Sequence, residues 1–399
     1  MTVPPHSGWR THAIGLALAA AIAIPAGLWI GERSGCGCAF PTPLRSPLRG
    51  YLDTYKAHPH LASALAHTLE DGTSLVLLGS SELTTADHPS KPVNFFNQRL
   101  GIPLLALGHA GNQSFSIHAQ LIAADVDLRK ARLAILVSPS WFVDRSALTG
   151  TELAAFLDYQ PSPSLYRIHR RIRRGDTLAL PVGRYLAEHL DELGAAQPIA
   201  LWLARNGSLS GRLRYAFSQP WNAAIIRLTE ERMDVDLRPP PEPLAAPEDT
   251  VAPDRQALYA AAEAEHRSQC TNNRVFVNDA YYAEHVQGRT RRLDVHAEAD
   301  NRELRDFRAL LDFLHTSHAE PLFILQPLNP YVYENLPEAD ATMDAIRSAI
   351  QAHGFDLFDL WTSDTAAFRP GTLTDVMHLG PLGWYRVDSA LNAYYHEAR

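Results

Sequence analysis

Apolar residues fall along this chain in short unbroken runs rather than in strict alternation with polar ones. Such runs cover residues 74–78, 102–107 (IPLLAL) and 133–137 (LAILV), and further strands are predicted over 321–326 and 355–360. Without a polar face, they predict strands covered on both sides, as in a parallel sheet. Between them a helical period predicts helices over about 50–70, 116–128, 301–315, 337–353 and 381–396. Strand and helix in turn imply a wound α/β domain. From about 145 to 300 helical patterns dominate, broken by the extended stretch Arg238-Pro239-Pro240-Pro241-Glu242-Pro243. That section reads as a helical insertion, and no internal repeat is visible.

Near the N-terminus the pattern is different. Residues 13–30, AIGLALAAAIAIPAGLWI, form an 18-residue stretch without a charge. A helix of that length, rising about 1.5 Å per residue, just spans a hydrocarbon core. No small-x-small cleavage site follows it, so it predicts an uncleaved single-span anchor. Pro25 is tolerable in such a helix, and Trp29 sits where an interfacial aromatic belongs. Arg10 precedes the span and Arg33, Arg45 and Arg49 follow it, so the flanking charges do not set its orientation. The expected layout is a tail over 1–12, the anchor over 13–30, a linker over 31–49 and the α/β domain over 50–399.

Composition narrows the function classes. Of 399 residues, 46 % are hydrophobic and 20 % charged, the balance of a folded chain. The net charge of −8 leaves no electrostatic footprint for nucleic acid. One basic cluster, Arg167 to Arg174, reads either as a solvated helical face closed by Gly175-Asp176 or as a surface for anionic lipid or polymer. The three cysteines, Cys36, Cys38 and Cys270, make no CxxC pair or cysteine–histidine cluster that would suggest a metal.

Three segments with chemistry follow expected strands, where open α/β sheets build their sites. They are Gly79-Ser80-Ser81-Glu82, the loop Gly108 to Ser114 (GHAGNQS) and Thr374 to Gly380 (TDVMHLG). A serine hydroxyl needs a neutral imidazole to take its proton, and a carboxylate to fix the imidazole's tautomer. Asp375 and His378, three residues apart, can meet within one loop turn. Backbone N–H groups of Ser81 and Gly111, with the side chain of Asn112 or Gln113, are candidate oxyanion donors. Trp141 and Asn329 are candidate substrate-binding residues, with core packing and turn stabilisation as their alternatives. Glu82 reads as a cap on the following helix, favoured by its dipole, rather than as an acid. No metal or bound cofactor is required.

These motifs resemble the SGNH hydrolase layout, in which the third position of Gly-x-Ser is the nucleophile; here that is Ser81. A narrower resemblance rests on GSSEL at 79–83, GHAGNQS at 108–114, SPSWF at 138–142, PLNPYVY at 327–333 and DVMHLGPLGW at 375–384. It is to the DltD family, the D-alanyl transfer proteins of teichoic acid modification. The resemblance implies a three-layer, SGNH-hydrolase-like α/β domain with a mainly parallel sheet, a helical insertion and one transmembrane helix. It implies catalysis by Ser81, His378 and Asp375 on the extracytoplasmic face of the cell membrane. The implied partners are a multispanning membrane O-acyltransferase of the DltB type, a D-alanyl donor (carrier protein or small membrane peptide) and an anionic envelope polymer. Ser138-Pro139-Ser140 stands where classical SGNH enzymes carry an oxyanion asparagine, so Asn112 or Gln113 is the expected substitute. An SGNH-type esterase or O-acetyltransferase, or a non-catalytic accessory domain, are the alternative functions.

Overall fold

The computed structural model describes residues 61–83, 88–160, 162–189 and 254–397, the backbone of 50–52, and isolated positions between 15 and 22 and at Glu192. The expected anchor over 13–30, apart from those positions, lies outside the described residues. So do the linker, Cys36, Cys38 and the proline run at 239–243. Among the described residues no helix is long and apolar enough to cross a membrane. The chain divides into two units, one of Leu44–Pro161 with Val235–Arg399 and one of Met1–Pro43 with Ser162–Asp234.

The larger unit is built on a sheet of six parallel strands: β1 Gly50–Leu52, β2 Leu75–Leu78, β3 Leu104–Leu107, β4 Arg132–Val137, β5 Leu322–Leu325 and β6 Asp356–Asp359. Their spatial order is β1-β3-β2-β4-β5-β6. Setting aside the edge strand β1, the remaining five follow the doubly wound 2-1-3-4-5 order, whose switch point lies between β2 and β4. The five longer strands match the strands predicted from the sequence to within two residues at each end. A helix was expected over 50–70; its first residues instead pair with β3, Gly50 opposite Leu105, and the helix begins at Leu61.

Register explains why the runs carry no polar face. Leu75 and Leu77 of β2 stand opposite Leu104 and Ala106 of β3, and Ala134 and Leu136 of β4 opposite Leu322 and Ile324 of β5. All eight join one core with Phe96, Leu373, Trp384, Val387 and Leu391. The intervening residues, Val76, Leu78, Leu105, Ile135 and Phe323, are equally buried on the opposite face. A one-residue slip would exchange the two faces of a strand. Each buried leucine contributes about 1.5–3 kcal/mol of transfer free energy, so both layers of helices are held by the sheet's side chains.

Helices Leu61–Asp71, Ser114–Ala124, Arg302–Thr316 and Asp340–Ala352 occur with the expected period, as does the closing helix Pro381–Glu397. Every residue of Ser114–Ala124 is buried. Its first N–H is capped by the Glu303 carboxyl, Ser114 N to Oε1 at 2.9 Å. Burial pushes that acid up to about 8.

The smaller unit is described only as the helices Ser162–Arg173 and Leu180–Glu188, joined through a tight turn at Thr177–Ala179. The basic cluster lies on the first of them. Asp176 closes it, accepting a hydrogen bond from Arg171 Nε at 2.6 Å and from Leu178 N at 3.0 Å.

Candidate active site

β2 ends by handing its ladder to a loop. Gly79 N–H still reaches the Leu107 carbonyl at 3.1 Å, and the chain then turns through Ser81–Leu83. A Cβ on Gly108 would sit 2.5 Å from the Gly79 oxygen, so only glycine lets the two loops touch. Ser80 is buried, its hydroxyl donating to the His109 carbonyl at 3.2 Å and its N–H to Glu82 Oε1 at 2.7 Å. Ser81 is the serine left half-exposed.

The second component is a self-clamped loop before the closing helix. Asp375 Oδ1 accepts the N–H groups of Met377 (2.8 Å) and His378 (2.7 Å), an Asx turn that short carboxylates favour. Thr374 N–H donates to the His378 carbonyl at 2.9 Å and closes the turn. Two outside braces fix it: Asn278 N–H on the Thr374 carbonyl at 2.8 Å and Asn329 N–H on the Val376 carbonyl at 3.0 Å. A Cβ on Gly383 would fall 2.1 Å from the Thr372 carbonyl, which explains the second glycine of His-Leu-Gly-x-x-Gly.

These two loops place three side chains in series. Asp375 Oδ2 lies 2.7 Å from His378 Nδ1, and His378 Nε2 lies 2.9 Å from Ser81 Oγ. A carboxylate accepts only, so Nδ1 carries the proton and Nε2 offers its lone pair to the serine hydroxyl. Hydrogen bonding to Asp375 raises the His378 pKa above the ordinary imidazole value, more than burial lowers it. Burial alone would push Asp375 up, but the His378 imidazole and the two N–H groups leave it below the usual carboxylate range.

The array opens into a cavity of about 330 Å³ lined by Glu82, His88, Lys91, Glu265, Gln269 and Trp384 among others. Burial drives Glu82 up, against the pull of the Ser80 N–H and His378. Lys91 falls to about 8, lowered by burial and partly restored by the Glu82 charge. Beyond His88 and Glu265 lies a second, more apolar cavity of about 520 Å³, bounded by Phe95, Leu100, Leu258 and Tyr385.

Other expected site residues have different positions. Asn112 is fully buried and is corrected from an oxyanion donor to a brace: Nδ2 donates to the Gly79 carbonyl at 2.7 Å, and Oδ1 accepts from Gln120 at 2.9 Å. Gly111 faces Ala155, and Gln113 begins the buried helix after the loop. Trp141 is 4 % exposed against Phe142, and does not border the Ser81 cavity; it is a core residue. Asn329 is likewise buried, holding the Val275 carbonyl through Nδ2 at 2.8 Å. Both substrate-binding expectations are therefore corrected to structural roles. Sequence patterns passed over Lys91, His88 and Glu265, because nothing local marks a lone lysine or a pair 177 residues apart.

Asn112→Ala leaves the buried Gly79 carbonyl and Gln120 amide without their partner. A loss of about 1–3 kcal/mol in unfolding free energy, read by urea denaturation, is expected.

A hydroxyl, an imidazole and a carboxylate thus stand in series at the carboxyl edge of a parallel sheet, beside its switch point, and the fold defines the class: a doubly wound α/β protein. Comparison with known proteins narrows this further. A family model described as "DltD protein" matches residues 57–396. "Protein DltD" of Bacillus subtilis (strain 168) is 24 % identical over 356 residues, covering 82 % of this chain and 83 % of the relative. The chain belongs to the DltD family.

Proposed function

We propose that this protein handles D-alanyl groups as a serine-dependent acyltransferase in D-alanylation of a cell-envelope polymer, teichoic acid or a similar one. The observation that carries the reading is the hydrogen-bond series Ser81–His378–Asp375, in a chain of a D-alanyl-transfer family.

Ser81 Oγ attacks the carbonyl of a D-alanyl ester or thioester as its proton passes to His378 Nε2. Asp375 holds the ring's tautomer and stabilises the imidazolium. The leaving oxygen or sulfur takes that proton, and a D-alanyl ester of Ser81 remains. A polymer hydroxyl then loses its proton to the same nitrogen, attacks the ester and frees Ser81, to which His378 returns the proton. With Asn112 in the core, backbone N–H groups at Ser81 and Gly111, with Gln113, form the candidate oxyanion set. The anchor expected over 13–30 would hold the site at the membrane's outer face, beside a DltB-type O-acyltransferase and its D-alanyl donor.

In a strain carrying Ser81→Ala, alkali-labile D-alanine of the envelope is expected to fall to the level of a deletion strain, with O-acetyl content unchanged. Loss of O-acetyl groups with D-alanine intact would assign the site instead to polysaccharide O-acetylation or deacetylation.

A further inference from the structure

The cavity beside Ser81 contains three pairs of charged or chargeable groups. Lys91 stands in the field of Glu82, and His378 in that of Asp375. The third pair is His88 with Glu265, whose Nε2 and Oε1 lie 2.7 Å apart. Hydrogen bonds hold this imidazole in place from its other side. The Ser90 N–H donates to His88 Nδ1 at 3.2 Å, and the Ser90 hydroxyl lies 2.6 Å from the same nitrogen. With Nδ1 accepting from the Ser90 N–H, Nε2 is the nitrogen that donates to Glu265.

The carboxylate is held on one of its two oxygens. Gln269, one turn further along the Arg255–Gln269 helix, also donates to Oε1, at 3.0 Å. Glu265 Oε2 takes no hydrogen bond among the described residues, and Glu265 and Gln269 both border the cavity that holds Ser81. A fixed, partly desolvated carboxylate with an open oxygen beside a nucleophile suits a small cation on the acyl group.

We propose that Glu265, held by His88 and Gln269, is the subsite for the α-ammonium of the aminoacyl group transferred through Ser81. The inference rests on the acyl-transfer reading of Ser81 and adds to it how an aminoacyl group is told from an acetyl group. A neutral acyl group offers Glu265 Oε2 no cationic partner, whereas an ammonium provides a charge-assisted one.

The test uses full-length protein and two model thioesters of N-acetylcysteamine, one carrying D-alanine and the other N-acetyl-D-alanine, which lacks the cation. Glu265→Gln keeps an acceptor for His88 and removes the charge. It is expected to lower kcat/KM for the D-alanyl thioester by about 10- to 100-fold. Turnover of the N-acetyl thioester, and the rate of fluorophosphonate labelling, should change less than about twofold, the range of a variant with intact acyl-transfer groups. Equal losses on both thioesters would make Glu265 merely structural, and no loss on either would remove it from recognition; both overturn the subsite. A wild-type protein that is labelled but does not prefer the D-alanyl thioester overturns the subsite alone. Absence of both labelling and turnover overturns the acyl-transfer reading itself.

Discussion

Replacing Ser81 by alanine is expected to lower acyl transfer by about a thousand- to a million-fold, with the protein's thermal unfolding almost unchanged. Ser81 is half-exposed, and its hydroxyl meets His378 Nε2 rather than a core group. Removing it takes away the atom that would carry the acyl group, so binding and electrostatics alone remain. Ser80→Ala should behave in the opposite way. Ser80 is only 4 % exposed, and its hydroxyl bonds the His109 carbonyl. Its loss should cost about 0.5–1.5 kcal/mol of stability and leave turnover within about tenfold of wild type. Steady-state kinetics and calorimetry on the two variants separate the roles. A dead Ser80→Ala with an active Ser81→Ala would reverse the assignment of the two serines.

Asp375→Asn should give the second large effect, a fall in kcat of about a thousand- to ten-thousand-fold, as when the orienting carboxylate of a serine site becomes an amide. The change also moves the pH profile. Catalysis needs His378 neutral, and hydrogen bonding to Asp375 raises its pKa in the wild type. The acid limb of kcat/KM should therefore lie above the ordinary imidazole value of about 6.5, with the rate falling as pH drops through it. Without the carboxylate the largest raising influence is gone, while burial and the Lys91 charge still lower the pKa. The acid limb of Asp375→Asn should then shift to lower pH. A profile that stays in place would show that another group sets it.

Much of this fold was legible because the central strands β2 to β5 are buried on both faces. An unbroken run such as LAILV admits little besides a central parallel strand, and β4 occupies Arg132–Val137. Short edge structure was less legible: Gly50–Leu52 became a strand only through its pairing with β3, a contact no local pattern announces. The serine, the aspartate and the histidine could be located because each follows a strand, and two of them share one turn. The polar residues beside them were harder to place. Asn112 and Asn329 look like site residues because buried asparagines and catalytic ones are the same letters; only their hydrogen bonds to Gly79 and Val275 distinguish them. Glu265 carries no local signal at all, since its meaning depends on a histidine 177 positions away and on which nitrogen holds its proton.

The central claim is that Ser81 is the activated nucleophile of this family member. Exposure of the full-length protein to a fluorophosphonate, followed by peptide mapping of the adduct, addresses it most directly. The label should lie on Ser81 in the wild type and in Ser80→Ala, and be absent from Ser81→Ala. Labelling that survives Ser81→Ala and disappears in Ser80→Ala, or a wild-type protein that takes no label, would contradict the account.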